Sequence, residues 1–300
     1  MGDVVQHVSV MPLEVDEALA LRPGSVVVDA TLGLGGHSLL MAEKIGPQGH
    51  LIGIDQDEAA IMIAKSRLQD FTGRLDIVKS NFCRINEVLL GLGVASVDAV
   101  LFDLGVSSMQ FDSPERGFSF RAEGPLDMRM DVQGAVTAED IVNDASEKEL
   151  ADLIFQYGEE RFARRIARHL VAARAGERIA TTTRLADIVL RSLPRGYQRD
   201  RLHPATRTFQ ALRIAVNREL DVLPEALALA FSSLKPGGRM AVISFHSLED
   251  RIVKAAFKTL SRQGDAVLMT KKPLIPAETE AADNPRARSA KLRALERAVA

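Results

Sequence analysis

The sequence predicts an α/β fold in which a mostly parallel sheet is interrupted by a helical insertion. Short β-branched apolar runs alternate with segments of helical period, and a glycine-rich turn follows the first run. Residues 104–237 then carry no strand pattern. Alternating strands and helices build parallel sheets, and a gap of that length exceeds an ordinary crossover connection. The gap therefore indicates an inserted domain.

The first predicted strand, Val26–Ala30, is a β-branched run typical of a strand buried on both faces. Gly33, Gly35 and Gly36 follow it, and Ser38–Ile45 has the period of a helix. Glycines lack a Cβ, so the backbone N–H groups of such a turn can approach a ligand closely. Strand, turn and helix together predict the first half of a nucleotide-binding unit.

The spacing of the glycines favours a nucleoside ligand over a dinucleotide. A dinucleotide fingerprint would place its third glycine at Ser38, whereas here it falls at Gly36. Asp55 ends the next predicted strand, Leu51–Asp55, where a carboxylate can accept both hydroxyls of a ribose. These features predict S-adenosylmethionine as cofactor; the alternative is a tight structural turn.

The remaining elements of the first part follow the same alternation. Predicted helices and strands are Leu13–Leu21, Asp57–Phe71 with Asp57 as N-cap, Leu75–Val78 and Val97–Asp103.

Two side chains after these strands are candidate site residues. Asp103 ends its strand at the carboxyl edge of the sheet, where open α/β folds bind ligands; we predict a chemical role, the alternative being a loop-capping aspartate. Phe82 either presents its ring to the adenine of the ligand or packs in the core.

Helical period over residues 138–157, 159–175 and 182–193 predicts a small helical bundle as the insertion. We place a discontinuous methyltransferase domain at residues 1–108 and 211–300, and a substrate-recognition domain at residues 109–210.

The insertion is rich in arginine. Residues 161–213 contain thirteen arginines, no lysine and three acidic residues. Arginine forks suit phosphate groups, so this bias predicts contact with nucleic acid rather than an ordinary solvated face. The segment Glu115–Phe120 adds rings on which an unstacked base could lie.

After the insertion, Gly238–Phe245 is predicted as the fifth strand, and it brings His246 and Ser247 to the same edge as Asp103. His246 either lines a base pocket or caps the following helix. Ala266–Thr270 is predicted as the final strand, before a basic tail.

Composition excludes several classes of protein. The 300 residues are 46% hydrophobic with a net charge of −2, and they contain a single cysteine, Cys83. One cysteine allows no internal disulfide and no multi-cysteine metal site, so we predict a cytoplasmic protein without a metal. The N-terminus has no leader pattern. Monomer and homodimer both remain open.

Six motifs resemble the bacterial ribosomal RNA small subunit methyltransferase H family, also called MraW, from His7 to the tail. They are residues 29–38, 103–110, 116–120 with 125–130, 203–213, 244–251 and 284–291. The resemblance implies a class I, Rossmann-like S-adenosylmethionine-dependent methyltransferase. Its implied substrate is the exocyclic N4 of one cytidine in the decoding centre of 16S rRNA, within the small (30S) ribosomal subunit.

Carried over position by position, the resemblance also implies the cofactor contacts. They are Gly35, Gly36, His37, Asp55, Phe82, Asp103 and Gln110. Asp103 is in addition the candidate catalytic residue.

Cysteine usage bears on the atom that is methylated. Methylation at carbon 5 of cytosine needs a thiolate nucleophile, and the only thiol, Cys83, does not follow the fourth strand. Attack by the exocyclic nitrogen fits better. The competing readings are a nicotinamide dehydrogenase, a methyltransferase for a small molecule or a protein, and a non-catalytic RNA-binding or ribosome-assembly protein that keeps a cofactor pocket.

Overall fold

A computed structural model describes residues 9–194 and 203–299. His7 and three of the counted arginines, Arg195, Arg199 and Arg201, lie outside this part. The chain divides into two compact units, Met1–Gly105 with Leu220–Ala300 and Val106–Glu219. The sequence placed the corresponding boundaries after residues 108 and 210. Within the described part, no helix has the length and apolar character needed to cross a membrane.

The first unit is built on a seven-stranded sheet of order β3-β2-β1-β4-β5-β7-β6. Its strands are β1 Val26–Asp29, β2 His50–Asp55, β3 Arg74–Lys79, β4 Val97–Asp103, β5 Leu234–Ser244, β6 Ala266–Leu268 and β7 Lys291–Arg297. Strands β1 to β5 are parallel, while β7 runs antiparallel to β5 and β6. The predicted class I, Rossmann-like fold is confirmed.

The order of the strands brings the predicted site residues to one edge. Strand β1 lies between β2 and β4, with Asp29 opposite Gly53 on one side and Leu101 on the other. All three strands are parallel and end in an aspartate. Asp29, Asp55 and Asp103 therefore meet at the carboxyl edge, next to the point where the strand order reverses.

Helices cover both faces of this sheet. They are α1 Pro12–Leu19, α2 Gly36–Ile45, α3 Glu58–Arg67, α4 Ile85–Gly91, α11 Glu219–Ser233, α12 Ser247–Gln263 and α13 Glu278–Asp283. Residues of α1, α2 and α3 share one hydrophobic cluster with the sheet, and residues of α4, α11 and α12 share the other. Strand β4 contributes to both clusters, since Leu101 faces the first and Phe102 the second.

The prediction that Ala266–Thr270 is the final strand was wrong. The sheet continues with β7, which pairs with both β5 and β6. Its sequence, KLRALER, is polar enough to hide a strand, yet Leu292, Ala294 and Leu295 are fully buried. Arg293 is also buried, and its guanidinium binds the carboxylate of Asp250 at 2.7 Å.

The second unit is helical, as the pattern indicated. Its helices are α5 Ser108–Asp112, α6 Ala138–Asp144, α7 Glu147–Gly158, α8 Ala163–Arg174, α9 Thr182–Ser192 and α10 Thr206–Asn217. A separate hydrophobic cluster, with Leu150, Ile166 and Leu170 fully buried, forms its core.

Two expectations for this unit were wrong. Residues 138–157 form two helices, because Ser146 caps α7 and Glu149 completes a capping box with it. The aromatic rings of residues 115–120 also do not form an open platform. Phe118 is buried in the core cluster, and Phe120 packs edge-to-face on Phe209 with 4.8 Å between ring centroids.

Candidate active site

The glycine turn between β1 and α2 holds two residues in the left-handed region. Gly33 has φ 51° and Gly35 has φ 78°. A Cβ on Gly35 would lie 3.2 Å from the Cβ of Ala64 on α3. This turn therefore requires glycine for its backbone conformation and for the approach of α3, and it leads directly into the N-terminus of α2, whose first backbone N–H groups have no partner within the helix.

Asp55, at the end of β2, is tied to this turn. The backbone N–H of Gly33 donates to its Oδ2 at 2.7 Å, and that of Asp57 donates to its Oδ1 at 2.8 Å. Burial raises the pKa of Asp55, and these two hydrogen bonds oppose the rise. The carboxylate is thus fixed in orientation, and the remaining lone pairs of its oxygens can accept ligand hydroxyls.

Asp29, at the end of β1, is an almost fully buried carboxylate. Ser38 Oγ donates to its Oδ2 at 2.7 Å, and the Thr31 N–H donates to its Oδ1 at 3.3 Å. Burial raises its pKa to about 6, although both hydrogen bonds lower it. Asp29 thus connects the sheet to the glycine turn and to the first turn of α2.

Asp103, at the end of β4, has fewer hydrogen-bond donors around its carboxylate than Asp29 and Asp55 have. Its Oδ1 is buried and accepts no hydrogen bond, and its Oδ2 lies 3.7 Å from Nε2 of His37. Burial, together with the charges of Asp29 and Glu249, raises its pKa to about 8. The side chain keeps 25% of its surface exposed. Asp103 is therefore a reachable carboxyl group poised to exchange a proton near neutral pH.

Comparison with known proteins decides the family. A model of the MraW methylase family matches residues 4–298. The chain belongs to the MraW methylase family.

Curated relatives cover essentially the whole chain. Ribosomal RNA small subunit methyltransferase H of Syntrophotalea carbinolica is 49% identical over 310 residues, which is 98% of this chain and 99% of that protein. The protein of the same name from Brevibacillus brevis is 47% identical over 306 residues, 97% of this chain and 98% of its own length. A solved structure, a putative rRNA methylase from Clostridium thermocellum, aligns with a TM-score of 0.48 at 15% identity, covering 98% of this chain and 100% of its own.

This MraW methylase is an S-adenosylmethionine-dependent methyltransferase, so the predicted cofactor is confirmed. The residues present fit that cofactor in two respects. The glycine turn has left-handed positions and backbone donors at α2, and the carboxyl edge offers oriented acids. Buried Oδ1 of Asp103 is an acceptor without a donor, as expected next to a cationic ligand.

Gln110, a predicted cofactor contact, lies in the second unit. It is buried on α5, and its Oε1 accepts the backbone N–H of Ser107 at 3.1 Å in a capping box. This bond gives Gln110 a structural role at the start of α5. Its contact with the cofactor stays a prediction.

Phe82 and Cys83 pack against the core on the α4 side of the sheet. The Phe82 ring meets Phe102 edge-to-face at 5.7 Å between centroids, and it remains partly exposed. Burial raises the pKa of the Cys83 thiol, and the charge of Glu225 raises it further. The position of Phe82 fits both core packing and contact with the adenine of the cofactor. The raised pKa keeps Cys83 as a thiol rather than as a nucleophilic thiolate.

His246 caps α12. Its Nδ1 accepts the Glu249 N–H at 3.4 Å, and Glu249 Oε2 accepts the N–H groups of Phe245 and His246. The structure therefore supports the capping alternative for His246. The following Ser247 is the first residue of α12.

Sequence reasoning did not single out Asp29 or Glu249, although both shape the site. Asp29 could have been found, since it is the one acid in the predicted strand Val26–Ala30 and lies shortly before the glycine turn. Glu249 stands three residues after His246, which is the spacing of a capping box. Neither pattern predicts that both charges act on Asp103, because that depends on the order of strands in the sheet.

Proposed function

We propose that this MraW methylase transfers the methyl group of S-adenosylmethionine to the exocyclic N4 of a cytidine in the decoding centre of 16S rRNA. Family membership and the names of the curated relatives support ribosomal RNA as substrate. The finer assignment depends mainly on one observation. An acid with a buried, unpaired oxygen ends β4, whereas the only thiol lies elsewhere and has a raised pKa.

The chemistry of cytosine explains why that observation matters. The N4 lone pair is delocalised into the ring, so an enzyme has to hold the amine in a geometry that frees it. Hydrogen-bond acceptors at the amine would achieve this, and Asp103 offers one at the carboxyl edge. The cofactor supplies an electrophilic methyl carbon, so alignment of the nitrogen with that carbon provides much of the rate.

Asp103 also suits the proton that the amine loses. With a pKa of about 8, Asp103 is a strong base in its ionised form, and the ionised fraction that can take up this proton grows as the pH rises towards 8. Gly105, two residues after Asp103, is left-handed with φ 104°, and a Cβ there would lie 3.4 Å from the ring of Phe245. We assign Asp103 to orient the amine and to receive its proton.

Recognition of RNA is assigned to the second unit, Val106–Glu219. Several of its arginines are engaged inside the unit. Arg178 contacts Glu139, Asp140 and Asp144, and Arg213 contacts Glu219 at 2.8 Å. These side chains are committed to the fold of the unit and are poor candidates for RNA contact.

Other arginines of the unit are exposed on helix α8. Arg164 and Arg165 have no ion pair among the described residues, and Arg168 is 3.8 Å from Glu147. These arginines project from the face of α8 that is opposite to buried Ile166 and Leu170. We propose that this face binds the phosphate backbone of the rRNA.

The test is transfer of labelled methyl groups from S-adenosylmethionine to small ribosomal subunits that lack the modification, followed by nucleoside analysis. We expect label in N4-methylcytidine, and strongly reduced label with Asp103→Ala that still binds RNA. Label in another nucleoside would reject the target atom. A folded protein that binds RNA and cofactor but transfers no label would favour the non-catalytic RNA-binding function.

A further inference from the structure

Helix α12 of the first unit carries a row of cations that the proposed function does not use. Its buried side contains Val253 and Phe257. On the opposite side, the spacing of a helix aligns a larger set. The row consists of Arg251, Lys254, Lys258 and Arg262, all exposed.

Three cations of the row, Lys254, Lys258 and Arg262, are without acidic partners in the part of the chain that the structure describes. Residues 251–272 contain six basic residues and one acidic residue, Asp265, in a chain whose net charge is −2. Lys254, Lys258 and Arg262 have no ion pair with any residue in the described ranges. Solvent-facing helices usually mix both signs of charge to gain pairing across one turn, so a row of one sign is not explained by helix stability.

Two acids near the row, one on α12 itself and one on β7, are engaged in ion pairs with other cations. Asp250 binds Arg293 at 2.7 Å and lies 3.9 Å from Lys291. Glu296, on β7, binds Arg239 at 2.9 Å. Neither of these acids pairs with Lys254, Lys258 or Arg262.

We propose that this row, Arg251, Lys254, Lys258 and Arg262, is a second surface that binds the phosphate backbone of the RNA substrate. The proposal rests on the proposed function for the choice of RNA. Successive cations along the row are one helical turn apart, about 6 Å between Cβ atoms, so a single strand can place several phosphates against one helix. Long, exposed lysine and arginine side chains bind phosphates with release of counterions.

RNA fits this row better than an acidic protein surface does. The row carries no large apolar side chain to form the buried centre that a protein interface needs. Its exposed side presents positive charges in a line. Such a line is complementary to a polyanion whose negative charges are regularly spaced, as the phosphates of RNA are. The contact is expected to be independent of base sequence, since no aromatic or amide side chain lies in the row.

The test compares two triple variants of the full chain for binding to an unmodified 16S rRNA transcript over a range of salt concentrations. The first is K254Q/K258Q/R262Q. The matched control is K44Q/R74Q/R84Q, which removes the same charge from the same unit at cations that are paired with Asp16, Asp76 and Glu87. Arg251 is left in place because it has other interactions.

We expect the α12 variant to lose RNA affinity by about tenfold or more at low salt, and its slope of log affinity against log salt to fall by about 2. The control should change either quantity little, and both variants should keep affinity for S-adenosylhomocysteine and their melting temperature. Equal losses in the two variants would mean that only net charge matters and would overturn the proposal. If the unaltered chain bound no RNA, both the proposed function and the α12 surface would be rejected. If the unaltered chain and the α12 variant bound RNA equally well, only the α12 surface would be rejected.

Discussion

At the scale of single residues, the site gathers acids where a fold would ordinarily avoid them. Asp29 and Asp103 end neighbouring strands, and Glu249 adds a third charge. Buried carboxylates of like charge cannot all ionise without cost. A group kept in that position despite its cost is a candidate functional group, since strained electrostatics concentrate at active sites.

The first prediction concerns the pH dependence of stability. The pKa of Asp103 is about 8 in the folded chain and 3.8 as an unperturbed group. The folded state thus holds a proton across this window that the unfolded state releases, and stability falls as the pH rises from about 4 to about 8. Asp103→Asn removes this loss. We expect its free energy of unfolding to exceed that of the wild type by an amount that grows with pH by about 1.4 kcal/mol per pH unit, to about 5 kcal/mol at about pH 8, and then levels off.

Denaturant unfolding between about pH 5 and about pH 9 measures this difference. Asp70→Asn provides the control, because Asp70 is exposed and its replacement removes a charge without altering a buried group. A difference for Asp103→Asn that stays constant with pH would show that Asp103 is ionised throughout. Its proposed proton transfer would then lose its basis.

At the scale of elements, two glycines allow the effect of backbone conformation to be distinguished from the effect of close packing in the glycine turn. Gly35 and Gly24 both have left-handed backbones, with φ 78° and 85°. A Cβ on Gly24 would meet nothing within 4 Å, whereas one on Gly35 would press on Ala64. The two positions thus impose the same conformational demand in different surroundings.

We therefore predict that Gly24→Ala and Gly35→Ala each cost about 1–2 kcal/mol of stability from the backbone alone. Gly35→Ala should cost more because of Ala64, and it alone should weaken S-adenosylhomocysteine binding, by about tenfold or more. Calorimetric titration and thermal unfolding give the two quantities. Equal cofactor affinity in both variants would remove the turn from the cofactor site.

Elements also show where local sequence suffices and where it does not. The strands β1, β2 and β4 were predictable, because their apolar runs are buried on both faces. Strand β7 was not, because its burial depends on β5 and on the ion pair between Arg293 and Asp250. The break between α6 and α7 is encoded in the local sequence by the capping box from Ser146 to Glu149, but the sequence analysis did not predict it.

At the scale of the whole molecule, strand order decides what sequence alone left open. Each acid of the site follows its own strand, and the rule for carboxyl edges placed Asp55 and Asp103 in advance. Their coupling to Asp29 and Glu249 required the positions of β1, β4 and α12. The insertion was recognisable because strand patterns stop between residues 104 and 237, but which arginines remain unpaired depends on helix packing and could not be read from composition.

The two units have separate hydrophobic cores, and this leads to the last prediction. Leu150 is fully buried in the core of Val106–Glu219, and Leu101 is fully buried in the core of the sheet. Truncating either to alanine creates a cavity that costs about 2–5 kcal/mol. We expect Leu150→Ala to speed amide hydrogen exchange within residues 106–219 while affinity for S-adenosylhomocysteine is retained, and Leu101→Ala to speed exchange in the sheet and weaken that affinity. Hydrogen exchange resolved by segment separates these outcomes. Faster exchange in both units from Leu150→Ala would instead mean that the chain opens as a single cooperative body, because local openings follow cooperative units rather than sequence boundaries.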